Sequence, residues 1–309
     1  MELISTTENM EPVFGIDLGG TKTEGVVLPF RGSTEPICRL RVPTEATKGY
    51  DYIIHQIRTL TNLLEAGSGV KPRKIGICTP GTSDPGSGLH KNSNTTCLND
   101  RPFREDLEKA LGMRVSMAND ANCFALAEAT LGIVKERMPD AKVVFGIIMG
   151  TGVGGGLVFD GKVWNGAHGI GGEWGHNFLD ESGGPCYCGR SGCVETILSG
   201  PSLERFYAIQ SGSTKSLQEI VLGAHNQADP VAILTMERMI HFFGKAVGTL
   251  INILDPDAIV IGGGVGNIDM LYTKGVTEVE KYLFNPKLET MFFKPKLGDS
   301  AGVFGAAML

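Results

Sequence analysis

Three observations predict an α/β fold for this 309-residue chain. Short apolar runs of strand length alternate with stretches whose apolar residues recur at helical spacing. The pattern starts twice, near residues 13 and 143, each time as a strand, a Gly/Thr turn and a second strand. The 43 glycines, about twice the usual share, gather at a few turns and do not spread as low complexity. No Pro/Ser-rich linker interrupts the chain, so two domains would be joined by tight crossings.

Residues 1–12 read as a polar tail. Val13 to Asp17 is an apolar strand, Gly19, Gly20 and Thr21 form a turn, and Glu24 to Leu28 return as a second strand. Arg39 to Val42 reads as a third. From Tyr52 the residues Ile53, Ile54, Ile57, Leu60, Leu63 and Leu64 trace a helix that Gly67 should end. Lys74 to Cys78 is a buried strand, Pro102 opens a helix stopped by Gly112, and Arg114 to Ala118 is the next strand. Asn119 and Asp120 begin a helix through Leu131. Val143 to Met149 is again a strand, residues 150–156 a turn, and Leu157 to Phe159 a strand. Helices follow from about Pro201 and over Pro230 to Leu254, a strand over Ala258 to Ile261, a helix near 269–283 and a strand near 289–295. The last segment, Ala301 to Leu309, is short and apolar.

Composition narrows the function. A net charge of −6 and the lack of a basic tract argue against nucleic acid or an anionic membrane as partner. The apolar runs are too short for a membrane span, and the N-terminus lacks the basic and apolar regions of a leader. A cytoplasmic location is expected. Seven cysteines, three of them Cys186, Cys188 and Cys193, then suggest metal before disulfides.

The two glycine turns carry the first chemistry. Gly150, Gly152 and Gly155 fit G-x-G-x-x-G, but that dinucleotide fingerprint must lead into a helix, and here a strand follows. Each turn alone reads equally as a plain hairpin. Bare glycine backbone with a threonine hydroxyl also suits phosphate oxygens, and Asp17 beside the first turn suits a magnesium–nucleotide complex. His176 with Cys186, Cys188 and Cys193 makes a closed Cys3His set, the pattern of structural zinc; free buried cysteines are the plainer alternative. Asn119 and Asp120, where a strand meets a helix, read from the residues alone as a cap, and Glu195 as a first-turn helix glutamate.

A resemblance makes these readings specific. Gly15-Ile16-Asp17-Leu18-Gly19-Gly20-Thr21-Lys22 and the stretch Gly150 to Gly156 resemble the phosphate loops of the ROK family of repressors and sugar kinases. Thr79-Pro80-Gly81, Asn119 to Cys123, Gly172 to His176, Cys186 to Glu195, Asp255 to Asp257, Gly262 to Gly264 and Gly298 to Ala307 continue the match in order. The resemblance implies two ribonuclease-H-like domains of actin/hexokinase type flanking an active-site cleft. The smaller would span residues 1–118 plus 297–309, and the larger, with the zinc loop, 119–296. It implies ATP and Mg²⁺ at Asp17, Gly19, Gly20, Thr21, Lys22, Gly150, Thr151, Gly152, Gly263 and Gly264, and structural zinc at the Cys3His set. It implies sugar contacts from Pro80, Gly81, Asn94, Asn119, Glu173, His176 and Glu195, and Asp120 as general base, kept ionised by the helix N-terminus.

The expected activity is ATP-dependent phosphorylation of a hexose hydroxyl by a homodimer. Three stretches, Gly19 to Glu24, Lys91 to Asn99 and Glu173 to Asn177, look closest to the fructokinase/mannokinase branch, so fructose 6-phosphate is the expected product. N-acetylglucosamine, N-acetylmannosamine or glucose is the alternative acceptor. A sugar-responsive repressor of the family would carry a helix-turn-helix region, and only about a dozen polar residues precede the first strand. A binding-only sensor would show sugar affinity without turnover.

Overall fold

A computed structural model describes residues 11–309. Most of the expected polar tail, with the segment tested for a leader, lies outside the described residues. In chain order the elements are β1 (Val13–Leu18), β2 (Lys22–Leu28), β3 (Cys38–Pro43), α1 (Tyr50–Ser68), β4 (Lys74–Thr79), β5 (Thr82–Ser83), β6 (His90–Lys91), α2 (Phe103–Leu111), β7 (Arg114–Asn119), α3 (Asp120–Thr130) and α4 (Ile133–Arg137). They continue as β8 (Val143–Met149), β9 (Val153–Phe159), β10 (Lys162–Val163), α5 (Glu195–Leu198), α6 (Gly200–Ser211), α7 (Leu217–His225), α8 (Pro230–Leu254), β11 (Ala258–Gly262), α9 (Gly263–Gly266), α10 (Lys274–Glu280), β12 (Met291–Phe293) and α11 (Ala301–Ala307).

Two five-stranded sheets result, ordered β3-β2-β1-β4-β7 and β10-β9-β8-β11-β12. The chain divides into two compact units. The first holds residues up to Asp140, Gly156–Gly171 and Lys296–Leu309; the second holds Ala141–Gly155 and Gly172–Pro295. In the first unit β1 and β2 are antiparallel, while β1, β4 and β7 run parallel. One face of this sheet presents Phe14, Ile16, Leu18, Ile75 and Ile77 to Ile53, Ile57 and Leu60 of α1 and to Phe103 and Leu107 of α2, all buried. The alternate residues, Gly15 and Gly76, face α11, whose backbone comes so close that a methyl at Gly76 would overlap the Ala306 carbonyl. Only glycine admits that approach.

The unit boundary differs from the one expected after residue 118. Helix α3 stays with the first unit because it packs along α11, where Gly305 lies so close that a methyl there would overlap the Cys123 carbonyl. The buried Glu128 carboxylate also accepts from the backbone N–H of Ile133, Lys296 and Leu297, at 2.9, 3.0 and 2.8 Å. In the second unit β8, β11 and β12 are parallel, and the 25-residue α8 packs on α10, α7 and α6.

Other boundaries moved for packing reasons. Helix α1 runs past Gly67 to Gly69, which takes a left-handed φ of 68°. Gly67 faces Cys38, where an added methyl would lie 2.8 Å from Sγ, so that glycine makes room and ends nothing. Strand β9 begins at Val153, placing Gly154 to Gly156 in the strand. The helix expected near 269–283 is a 3-10 turn at Asp269–Tyr272 followed by the short α10, and the strand near 289–295 is only β12. Helix α7, with its Ser216/Glu219 capping box, and the β5–β6 hairpin were not anticipated. No described helix is long and apolar enough to cross a membrane.

Candidate functional site

The parallel run of β1, β4 and β7 brings three chemistry-bearing segments to one sheet edge. Asp17 lies near the C-terminal end of β1, Pro80 and Gly81 directly follow β4, and Asn119 ends β7 with Asp120 next. The register pairs Asp17 with Cys78 and Thr79 with Asn119. The carboxyl ends of parallel strands are where open α/β sheets bind ligands, since no side chain of the sheet covers the exposed backbone there.

Asp17 lies close enough to Asp120 to feel its charge. Burial raises the Asp17 pKa above its ordinary 3.8, a bond from the Cys78 thiol opposes this, and the charges of Asp120 and Glu24 raise it further. Asp120 reaches solvent, yet the protein bulk around its carboxyl raises its pKa as well, against a 2.9 Å hydrogen bond from Ala121 N. The helix N-terminus was expected to favour the Asp120 anion; burial acts in the opposite direction. The structure also decides between the two residues read as a cap. Asn119, not Asp120, is the N-cap, its Oδ1 accepting from Asn122 N at 2.8 Å, and Asp120 is the first helical residue. The Asp120 carboxylate is thus not consumed by capping. Two neighbouring carboxylates with raised pKa values suit a cation and a proton acceptor.

The first glycine turn is a tight hairpin. Gly19 N donates to Lys22 O at 3.1 Å, and Gly20, Thr21 and Lys22 are exposed. Thr44, which the sequence did not single out, braces it by donating its hydroxyl to Gly19 O at 2.7 Å and its N–H to Thr21 O at 3.0 Å. Pro80 and Gly81 are held by another unforeseen residue. His90 is fully buried, and its Nε2 lies 2.8 Å from Pro80 O. Burial lowers its pKa, so the neutral ring donates from Nε2. A lone histidine gives no sequence signal for such a role. Gly81 packs on the backbone of Lys91, Asn92 and Ser93, next to the exposed Asn94. Asn99 clamps that turn through Oδ1 to Ser93 N at 2.9 Å.

In the second unit two glycine turns converge because β8 and β11 are adjacent and parallel, with Ile148 opposite Gly262. Gly150, Thr151 and Gly152 follow β8, and Gly263 and Gly264 follow β11; Thr151, Gly263 and Gly264 are exposed and Gly150 and Gly152 partly so. A methyl on Gly150 would lie 3.9 Å from Gly264 N, and one on Gly152 would meet Glu195 Oε2 at 2.6 Å. The same Glu195 oxygen accepts from Val153 N at 2.9 Å. Glu195, expected at the sugar or as a first-turn helix glutamate, opens α5 and ties it to the glycine turn.

The cysteine cluster assembles as the spacing predicts. The ligand atoms of His176, Cys186, Cys188 and Cys193 all lie within 4.8 Å of one another. Cys186 Sγ is 3.5 Å from His176 Nδ1 and Cys188 Sγ is 3.6 Å from Cys193 Sγ. A tetrahedral zinc with its usual bond lengths needs ligand separations of about 3.5–3.8 Å, which these two pairs meet, so the set is compatible with a four-ligand zinc. The Arg190 backbone N–H draws the Cys188 thiol down to about 6, and burial pushes Cys193 up to about 12. Tyr187, between two of these cysteines, sets its hydroxyl 2.9 Å from His176 Nε2. Protein bulk on one side of the phenol, with Glu195 and Glu173 nearby, pushes its pKa up to about 12.

Comparison with known proteins places these units among relatives. The profile of the ROK family matches residues 13–309. The chain is 35% identical over 306 residues to an N-acetyl-D-glucosamine kinase of Aliivibrio fischeri, covering 96% of this chain and 98% of that one. It is 34% identical over 308 residues, with the same coverage, to one of Vibrio cholerae. A ROK hexokinase from Thermus thermophilus superposes with a TM-score of 0.85 at 31% identity, covering 96% and 97% of the two chains. A Streptomyces griseus ROK glucokinase solved with glucose and AMPPNP gives 0.72 at 26%, covering 96% and 98%. The fold is that of the ROK hexokinases, the actin/hexokinase type expected.

Proposed function

The chain belongs to the ROK family, and on that premise we propose that it is an ATP-dependent sugar kinase whose acceptor is N-acetyl-D-glucosamine. The observation that carries the kinase reading is the paired carboxylates of Asp17 and Asp120 at the ends of parallel strands beside Pro80 and Gly81. Asp120 takes the proton of the attacking sugar hydroxyl, its raised pKa bringing it nearer the working pH of a base. Asn119, Asn94, the Pro80–Gly81 backbone, Glu173, His176 and Glu195 are the residues that contact the sugar. The turns formed by Gly19, Gly20, Thr21 and Lys22, by Gly150, Thr151 and Gly152, and by Gly263 and Gly264 bind the nucleotide phosphates through N–H groups other than those of Gly19 and Gly150, which close the turns themselves. Asp17 holds Mg²⁺, which supplies charge neutralisation at the phosphates. The Cys3His set holds zinc, which braces the loop carrying Glu173 and Glu195.

The acceptor replaces the fructose expected from the sequence stretches. Relatives at 34–35% identity over nearly the full length are named N-acetyl-D-glucosamine kinases, which favours the alternative over the fructokinase branch. Fructose stays as the second reading on the Lys91–Asn99 and Glu173–Asn177 stretches. A coupled assay of ATP consumption across N-acetylglucosamine, N-acetylmannosamine, glucose, mannose and fructose tests both. N-acetylglucosamine should give the highest kcat/KM; a tenfold preference for fructose reverses the assignment, and no turnover with any sugar ends the kinase reading.

A further inference from the structure

We infer that Tyr187 is a further acceptor-site residue, whose hydroxyl occupies His176 in the free enzyme and yields that nitrogen to a hydroxyl of the incoming sugar. The inference rests on the acceptor role proposed above for His176 and Glu173.

The covalent pattern forces the position. Cys186 and Cys188 both direct sulfur into the cluster, so the residue between them is driven to the outside of the loop. Tyr187 is accordingly 83% exposed, yet its ring does not hang free in water. It stands edge-on to the His176 ring, centroids 5.0 Å apart at 90°, with its oxygen 2.9 Å from Nε2. His176 Nδ1 faces Cys186 Sγ at 3.5 Å, so Nε2 is the one ring nitrogen left for a ligand, and Tyr187 holds it. Glu195 and Glu173 lie near enough for their charges to act on the same phenol.

An imidazole N–H, two carboxylates and an aromatic ring together are the groups that recognise a polyol. The phenol oxygen presents to Nε2 the same kind of group at the same distance as a sugar hydroxyl would. The exchange is like for like, and an exposed ring swings aside without unpacking a core. The sugar therefore displaces a tethered competitor, and its affinity is set below what the bare site would give. Were Tyr187 merely to orient His176 toward a metal, its hydroxyl would matter to metal content and not to sugar.

The test is Tyr187→Phe, which keeps the ring and removes the hydroxyl. Titration calorimetry without ATP, using N-acetyl-D-glucosamine and D-fructose in turn, should show the bound sugar gripped more tightly by roughly two- to tenfold, the scale of one net hydrogen bond. Zinc content and the KM for ATP should not change. An unchanged or weakened sugar affinity, or loss of zinc, overturns the inference. Glu173→Gln runs beside it. If that variant binds sugar more weakly while Tyr187→Phe has no effect, only the role of Tyr187 falls. If Glu173→Gln leaves affinity untouched, the acceptor reading itself fails and Tyr187 with it.

Discussion

Replacing Asp120 by asparagine separates a base from a structural residue more cleanly than the sequence alone allowed. The helix cap belongs to Asn119 through its 2.8 Å bond to Asn122 N, so the change leaves the cap intact. The new amide oxygen can still accept from Ala121 N, now 2.9 Å from the carboxylate. Losing a negative charge in the first turn of α3 costs about 0.3–1 kcal/mol. Against this stands the raised pKa. A carboxyl whose folded pKa lies above its unfolded 3.8 opposes folding when ionised, and stability is gained as pH falls through the folded pKa toward 3.8. At pH 7 the variant is relieved of that opposition and of the repulsion with Asp17. The two effects offset, and the melting midpoint should move by no more than about 2–4 °C. Activity should behave differently. Removing a general base lowers rate by roughly 10²–10⁴, so kcat should fall at least about a hundredfold while the Kd values for sugar and ATP stay within a few-fold. The native kcat/KM should decline as pH falls through the raised Asp120 pKa, and the residual activity of the variant should lack that limb. Steady-state kinetics, calorimetry and a pH profile on one preparation read all of this. A folded Asp120→Asn protein that keeps more than a tenth of its kcat would refute the assignment of Asp120 as base.

Two further outcomes follow from the same geometry. Protein purified without added zinc should carry about one zinc per chain by metal analysis, and Cys188→Ser should lose zinc, thermal stability and sugar affinity together, because ligation and loop folding are one equilibrium; a metal-free native protein with full activity would count against the site. Gly302→Ala puts a methyl 2.5 Å from Asp17 Oδ2 inside a helix where alanine is otherwise the better residue, so folding should survive while the Mg²⁺ concentration needed for half-maximal rate rises roughly tenfold or more; an unchanged Mg²⁺ titration would remove Asp17 from the metal.

Patterns that are local in the chain were legible from the sequence. The strands from Val13, Lys74, Arg114 and Val143, and the helix Pro230–Leu254, announce themselves because apolar periodicity and terminal Gly or Pro are properties of neighbouring residues. The Cys3His cluster was equally readable, since three cysteines within eight residues and a histidine ten before can meet without any distant partner. What the chain order could not decide were contacts made by packing between distant segments. Gly67 reads as a stop until Cys38 is seen against it, and Asn119 rather than Asp120 proves to be the cap only from where the first helical hydrogen bonds close. His90 under Pro80, Thr44 behind the first glycine turn and Glu195 on Val153 each act on a segment 10 to 42 residues away. Their side chains carry no periodicity of their own. The upward shift of the Asp120 pKa was likewise a tertiary matter, because a helix N-terminus is visible in sequence, whereas the protein bulk that opposes it exists only once the chain has folded.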